Sequence, residues 1–106
     1  MADYLGEFEQ LILMALLRLG DDAYGVTIRD VLRDRAGREA SFGAIYSTLR
    51  RLEHKGLVKS FLGDPEPVRG GRAKKHVTVT ARGRQAVREA QRAFGRMADG
   101  LKGLQS

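Results

Sequence analysis

The chain contains no cysteine and no tryptophan, and only two of its 106 residues are proline. Without cysteine it can form neither a disulfide nor a thiolate metal site, which excludes a secreted disulfide scaffold and predicts a cytoplasmic location. Its longest apolar run near the start, Leu11 to Leu17, is far shorter than the roughly 20 residues that span a bilayer. Acidic residues precede this run where a signal peptide carries positive charge, so we predict neither export nor a membrane partner.

Residues that serve catalysis or metal binding are also scarce. The two histidines, His54 and His76, have no cysteine and no second histidine at helical spacing, which argues against a metal site. The sequence shows no nucleophile elbow, no phosphate-binding loop and no recognisable pair of catalytic carboxylates. We therefore predict that the protein is not an enzyme and holds no metal ion or cofactor.

What the sequence does contain is an uneven distribution of charge. The formal net charge is +6, but residues 1–40 carry a net charge of −3 and residues 41–106 a net charge of +9. A basic segment joined to an acidic one indicates a surface that binds a polyanion, because contacts with phosphates supply most non-specific affinity for nucleic acid. Charge alone leaves a second interpretation open, in which the basic residues only keep the protein soluble.

The first forty residues predict two helices. Apolar residues at helical spacing over residues 8–19 surround the first helix almost completely, so it must be covered on more than one side. Gly20 ends this helix, and Asp21 and Asp22 are expected to cap the second. The second helix has one apolar face and ends near Gly37.

A third helix is predicted between Ser41, a good N-cap, and Gly56, a typical C-terminal stop. One face is expected to lie against the core, and its residues are Phe42, Ile45, Leu49 and Leu52. The opposite face is small, polar and basic, and its residues are Gly43, Tyr46, Ser47, Arg50 and His54. An outer face of this kind fits a DNA major groove.

The periodicity then changes from helical to alternating, in the runs Leu57 to Leu62 and His76 to Val79. Glycine and proline residues separate the two runs, so we predict a β-hairpin with a long tip. The second half of the tip is basic, and its cations are Arg69, Arg72, Lys74 and Lys75. The pair Gly70 and Gly71 would let the backbone approach a phosphate or the minor groove.

The last helix is predicted to begin after Thr80. Its apolar residues are spaced three, four, three, four and three apart: Val87, Ala90, Phe94, Met97, Leu101 and Leu104. This spacing is that of a coiled-coil seam over nearly three heptads. The seam either joins two copies of the chain or packs on its own domain; we favour a dimer, with Leu11 and Met14 of the first helix as part of its surface.

Motifs in a fixed order carry a resemblance to a known family. They are Leu5-Gly6-Glu7-Phe8-Glu9, Asp22-Ala23-Tyr24-Gly25, Gly43-Ala44-Ile45-Tyr46, Leu49-Arg50-Arg51-Leu52-Glu53, Gly56-Leu57-Val58, Gly70-Gly71-Arg72, and Thr80 with Gly83. Over about residues 5–84 the chain resembles the PadR-type winged-helix transcriptional regulators, in the short form with a single C-terminal dimerisation helix. The fold expected is mainly α with a small β-hairpin, with a winged-helix domain over residues 1–80 and a dimerisation helix over residues 81–106 forming one compact unit.

The resemblance implies a homodimeric repressor or other regulator that binds a pseudo-palindromic operator in double-stranded DNA. In such proteins the third helix enters the major groove, Tyr46 matches the groove-facing tyrosine, and the Gly70-Gly71-Arg72 turn matches the wing tip. Some relatives bind planar apolar molecules between their dimerisation helices. By this resemblance Met14, Phe94 and Met97 are expected to line a site for a small planar apolar effector.

Together these arguments select one set of residues for contact with DNA. The set is Ser41, Gly43, Tyr46, Ser47, Arg50, Arg51, Arg69, Gly70, Gly71, Arg72, Lys74 and Lys75. For Arg50 a guanine and a phosphate contact are both open, and we favour the phosphate. The alternative for the whole molecule is a winged-helix module that binds another protein and no DNA.

Overall fold

The computed structural model describes residues 5–65 and 73–104, and of residues 61–65 and 73–75 it describes the backbone alone. This part of the chain contains four α-helices and a two-stranded antiparallel sheet. In chain order the elements are α1 (Glu7–Leu19), a 3₁₀ helix (Gly20–Asp22), α2 (Gly25–Ala36), α3 (Phe42–His54), β1 (Val58–Pro65), β2 (Ala73–Val79) and α4 (Ala81–Ala98). The predicted fold, mainly helical with one hairpin, is confirmed.

Helix α1 lies at the centre of the core, as its nearly uniform apolar surface predicts. Ile12 and Leu13 are completely buried, and Ala15 and Leu16 are almost so. The helix contacts α2, α3, α4 and β2, so it is covered from several directions. It ends at Gly20, whose φ of 57° is one that other residues rarely adopt.

The start of α2 differs from the sequence prediction. Asp21 and Asp22 lie in the 3₁₀ helix and make no side-chain cap, so the prediction that they cap α2 was wrong. Ala23 and Tyr24 follow the 3₁₀ helix in extended conformation, so the N-cap position of α2 is Tyr24. Its N–H donates instead to the Thr27 hydroxyl over 3.1 Å. The predicted end of α2 at Gly37 is confirmed, with a left-handed φ of 63°.

Helix α3 begins and ends where the sequence predicts. The Ser41 hydroxyl accepts a hydrogen bond of 3.1 Å from the N–H of Ala44 and so caps the first turn. The helix ends at His54 with Lys55 as its C-cap, and Gly56 follows with a φ of 78°. The two ends of the helix thus carry the local signals that the sequence predicts, a side-chain cap at Ser41 and a glycine at position 56.

The core face of α3 is rotated relative to the predicted stripe. Phe42 is 37% exposed, whereas Thr48 is only 1% exposed, so the prediction that Phe42 packs in the core was wrong. At about 100° per residue, the buried face centres between Ile45 and Leu52. This rotation puts Phe42 at the edge of the stripe that adjoins Tyr46, and Thr48 at the opposite edge inside the core.

The hairpin pairs β1 with β2 in the antiparallel sense, with Val58 opposite Val79 and Ser60 opposite Val77. Val58 and Val77 are buried against the helices. The register shifts between Leu62 and Pro65, before the tip. The predicted hairpin is confirmed, while residues 66–72 of its tip lie outside the described residues.

Helix α4 is joined tightly to the hairpin and is shorter than predicted. The Thr80 hydroxyl accepts from the N–H of Gly83 over 3.0 Å and donates to the carbonyl of Gly56 over 2.8 Å. The helix stops at Ala98 because Gly100 takes a φ of 81° soon afterwards. Consequently Leu101 lies beyond the helix, and the prediction that the seam runs helically through it was wrong. No helix in the described part of the chain has the length and hydropathy of a membrane span.

Candidate nucleic-acid interface

The residues predicted for the outer face of α3 and its cap are at the protein surface. Tyr46 is 45% exposed. Ser41, Gly43 and Arg50 are also exposed, and Ser47 is half-buried with its hydroxyl donating to the carbonyl of Ala44. The structure therefore brings these residues together on one side of a well-capped helix.

Arg50 is the cation best placed on this face. It is exposed one helical turn beyond Tyr46. Within the described residues it has no ion-pair partner, in contrast to Arg33, Arg38 and Arg51. Its guanidinium group is thus available to a ligand, and its five donors suit phosphate oxygens or a guanine edge.

Arg51 points in a different direction from Arg50. Its guanidinium donates to the Thr48 hydroxyl over 3.1 Å and approaches the Glu9 carboxylate at 3.9 Å. Neighbouring residues of a helix are separated by about 100°, so Arg51 lies on the flank of α3 that faces α1. A DNA contact from Arg51 stays a prediction, and this residue is not part of the surface formed by Tyr46 and Arg50.

A buried carboxylate holds the C-terminal end of α3, and the sequence offered no signal for it. Glu9 of α1 is 7% exposed, and its two oxygens accept hydrogen bonds of 3.1 and 2.9 Å from the ammonium group of Lys55. Burial alone raises the pKa of Glu9, but the N–H of Gly6 and the charge of Lys55 outweigh it. The pKa of Glu9 therefore lies below its usual value of 4.5. Only the meeting of two helices distant in sequence reveals this pair.

An aromatic pair on α3 is a second feature that the sequence analysis missed. The rings of Phe42 and Tyr46 stack with centroids 6.3 Å apart and an interplanar angle of 27°. The guanidinium carbon of Arg29, in α2, lies 4.7 Å from the centroid of Phe42. The i, i+4 spacing of the two aromatic residues is the signal that would have indicated it. The pair restricts the positions open to Tyr46.

A small cleft, partly open to solvent, lies beside this outer face, between α2, α3 and the hairpin. Its volume is about 260 Å³. Buried Leu49, Val58 and Val77 contribute apolar surface to it, while Tyr46 and Arg50 also line it. The two residues proposed for the groove-facing surface therefore form one side of this open cleft.

The predicted wing is divided between the strand β2 and residues outside the described part of the chain. The predicted contact residues Arg69, Gly70, Gly71 and Arg72 lie outside the described residues. Lys74 and Lys75 belong to β2, with Lys75 opposite Leu62 in the register. Contacts of all six with DNA stay predictions.

The surface predicted for dimerisation divides into two parts. Phe94 and Met97 of α4 are 63% and 76% exposed. Phe94 also lines an open groove of about 680 Å³ between α1 and α4, together with Leu11, Met14 and Ala90. Met97 is not among the residues that line this groove, so the predicted effector residues Met14 and Phe94 share a surface that Met97 does not.

The prediction that Val87 belongs to the dimer seam was wrong. This residue is 8% exposed and packs in the core of its own chain, so its side chain is not available to a second copy. The first half of α4 is held against α1 and β2, which covers the seam residue nearest the N-terminus. Leu101 is 50% exposed but follows the end of α4.

Comparisons with known proteins agree with this architecture. The sequence model of the transcriptional regulator PadR-like family matches residues 12–89. A PadR family transcription regulator from Clostridium difficile R20291 is 28% identical with a TM-score of 0.72, covering 87% of this chain and 91% of that one. A second, from Eggerthella lenta DSM 2243, is 27% identical with a TM-score of 0.65, covering 89% and 81%.

Bacillus subtilis PadR, solved in complex with operator DNA, is 23% identical with a TM-score of 0.66. The match covers 80% of this chain and 46% of that one, and at this identity the likeness is one of fold. A comparison with curated proteins found no significant match.

Proposed function

Because this chain belongs to the PadR-like family of transcriptional regulators, we propose that it binds duplex DNA in a sequence-specific manner and controls transcription in the cytoplasm. The observation that carries the proposal is the outer face of α3, where Tyr46 and Arg50 are both exposed on a well-capped helix. A helix with such a face fits the major groove. The solved complex of Bacillus subtilis PadR with operator DNA supports the same use of a similar fold.

Electrostatics supports the proposal independently. Residues 41–106 carry a net charge of +9 and include both α3 and the hairpin. A basic segment attracts phosphates of any sequence and releases their counterions, which gives affinity without specificity. In this scheme the basic wing around Arg69 and Arg72, with Lys74 and Lys75, holds the backbone, while Tyr46 and Ser47 read the bases.

We further propose that the protein acts as a homodimer at a pseudo-palindromic operator and represses the adjacent gene. The exposed apolar side chains Phe94 and Met97 on α4 favour burial against a second copy. Two copies related by a two-fold axis would present two α3 helices to half-sites about one helical turn apart. A dimer bound in this way within a promoter would block access to it.

A small effector is a second proposed function, and the groove between α1 and α4 favours it. Its volume of about 680 Å³ lies within the roughly 300–1,000 Å³ of ligand sites. Met14 and Phe94 give it an apolar and partly aromatic lining that suits a planar apolar molecule. Loss of DNA binding on addition of such a compound is the expected readout.

In the competing proposal the protein is a winged-helix module that binds another protein and does not bind DNA. It would also dimerise through α4, so oligomeric state does not separate the two. The salt dependence of DNA affinity separates them, because only phosphate binding releases condensed counterions.

The test is a mobility-shift assay with the DNA upstream of the protein's own gene, at salt concentrations from about 50 to 200 mM. We expect the logarithm of the affinity to fall with a slope of about −0.9 per phosphate contacted. Arg50→Ala removes one phosphate contact from each subunit of the dimer, so it should weaken binding at least about tenfold and reduce the slope by about 1.8.

The matched control is Arg88→Ala, which removes the same charge from an exposed position on α4. We expect it to bind as the wild type does. Absence of any shift at the lowest salt concentration would rule out the proposed function.

A further inference from the structure

Gly25, at the first position of α2, lies directly beneath the side chain of Tyr46. A Cβ atom built on Gly25 would collide with the hydroxyl oxygen of Tyr46 and would stand 3.0 Å from its Cζ and 3.5 Å from Cδ1 of Phe42. Gly25 is buried, and the nearest atoms around such a Cβ belong to the side chains of Tyr46 and Phe42. Every residue other than glycine would compete with Tyr46 for the same space.

The backbone gives no reason for glycine at this position. The glycines with positive φ in the described residues are Gly20, Gly37, Gly56, Gly100 and Gly103, and Gly25 is not one of them. Intrinsic helix propensity gives no reason either, because alanine is favoured over glycine, by about 1 kcal/mol in a helix interior. We therefore attribute the glycine at residue 25 to the room that the Tyr46 ring needs.

That space determines where Tyr46 lies. Phe42 stacks against the tyrosine ring along α3, and Arg29 holds Phe42 from α2. With Gly25 below, the ring lies across the start of α2 while 45% of the residue stays exposed on the outer face. Removing the space below would force the ring to rotate outward, away from this position.

We infer that Gly25 is a positioning residue for Tyr46: the missing side chain holds the tyrosine ring in the one orientation that reads the operator. The inference rests on the proposed function, because it concerns how the DNA-binding face is shaped. It assigns a role in sequence preference to a residue outside the recognition helix. A purely structural role would instead limit Gly25 to the packing of α2 on α3.

A double-mutant cycle separates these roles. Gly25→Ala, Tyr46→Phe and the double variant are compared with the wild type on two duplexes, one selected by the wild type from a random library and one of scrambled sequence. We expect Gly25→Ala to weaken binding to the selected duplex about tenfold and to leave the scrambled duplex almost unaffected. In the Tyr46→Phe background, where the colliding hydroxyl is absent, the same change should weaken binding less than about threefold.

The control is Gly95→Ala on α4, where an added Cβ would meet no atom within 4 Å. It should leave both duplexes bound as by the wild type. An equal loss on both duplexes, or an equal loss in both Tyr46 backgrounds, would overturn the role of Gly25. Failure of the wild type to select any duplex would instead overturn the proposed function.

A measurement without DNA or mutation covers the case in which Gly25→Ala does not fold. In the NMR spectrum of the wild type we expect cross-relaxation between the α-protons of Gly25 and the ring protons of Tyr46. If a folded sample shows no such cross-peaks, the ring lies elsewhere, and the inference fails whatever the protein binds.

Discussion

At the scale of single residues, Glu9 connects parts of the chain that are far apart in sequence. Its carboxylate joins the first turn of α1 to Lys55, 46 residues later, at the C-terminal end of α3. A buried carboxylate is stable only if its charge is balanced and its oxygens accept hydrogen bonds. Here Gly6 and Lys55 meet both needs, so the pair fixes the end of the proposed recognition helix.

Because the pKa of Glu9 is lowered on folding, its contribution to stability depends on pH. The unfolded chain takes up a proton near the usual value of 4.5, whereas the folded protein resists protonation until a lower pH. The contribution is therefore complete above this value and is lost as the pH falls through the pKa of the folded state. We expect Glu9→Gln to lower the free energy of unfolding by about 2 kcal/mol at pH 7 and to remove this part of the acid dependence.

Urea unfolding at pH 7, 5, 4 and 3 would measure both effects. Glu7→Gln, which removes a carboxylate that is exposed at the surface, serves as the control and should change little. Parallel loss of stability with falling pH in the wild type and in Glu9→Gln would contradict the assignment.

At the scale of elements, the junction between the hairpin and α4 is built around a glycine. Gly83 is buried in the first turn of α4, where a Cβ atom would collide with the carbonyl oxygen of Leu57 and stand 2.7 Å from Cγ1 of Val79. Thr80 binds both sides of the junction through Gly56 and Gly83. This close approach sets the direction in which α4 leaves the winged-helix part.

Gly83→Ala should therefore lower stability by about 2 kcal/mol, because a backbone carbonyl cannot move aside as a flexible side chain would. Gly95→Ala in the same helix should raise stability by up to about 1 kcal/mol, since it only improves helix propensity. Thermal unfolding followed by circular dichroism would compare them. Equal effects of the two substitutions would show that the close approach at Gly83 is absent in solution.

At the scale of the whole molecule, the exposed apolar part of α4 is the feature that one chain does not explain. Phe94 and Met97 are among the most exposed large apolar residues in the described part of the chain, whereas Val87 on the same helix is buried. The helix thus begins as part of the core and continues as a surface. We propose that a second copy covers this surface.

Replacing Phe94 and Met97 together by aspartate should raise the dimer dissociation constant at least about tenfold, because two charges would then enter an apolar interface. Sedimentation equilibrium over a range of protein concentrations would measure it. As a control, Gln85→Asp introduces one negative charge near the start of α4 and should leave the dimer intact. A double variant that dimerises as the wild type does would place the interface elsewhere.

Much of the architecture was predictable because it depends on neighbours in sequence. Ser41 and Thr80 cap helices through hydrogen bonds that span three residues, and Gly37 and Gly56 end them through backbone angles that glycine favours. The exposure of Tyr46 and Arg50 followed from helical periodicity alone. The prediction failed at boundaries, where the sequence pattern does not distinguish the last member of a buried face or of a helix from the next residue. Phe42 lies at the margin of the buried face of α3, and Leu101 lies beyond the end of α4.

The sequence by itself determined which segments become helices and strands, the two ends of α3, and which half of the chain is basic, because these properties arise within a few residues. The tertiary structure alone decided that Glu9 contacts Lys55, that Val87 is buried in the core of its own chain, and that Gly25 lies beneath Tyr46. Such contacts depend on the angle and rotation at which helices pack. Those are set by the filling of the whole core, which no local pattern encodes.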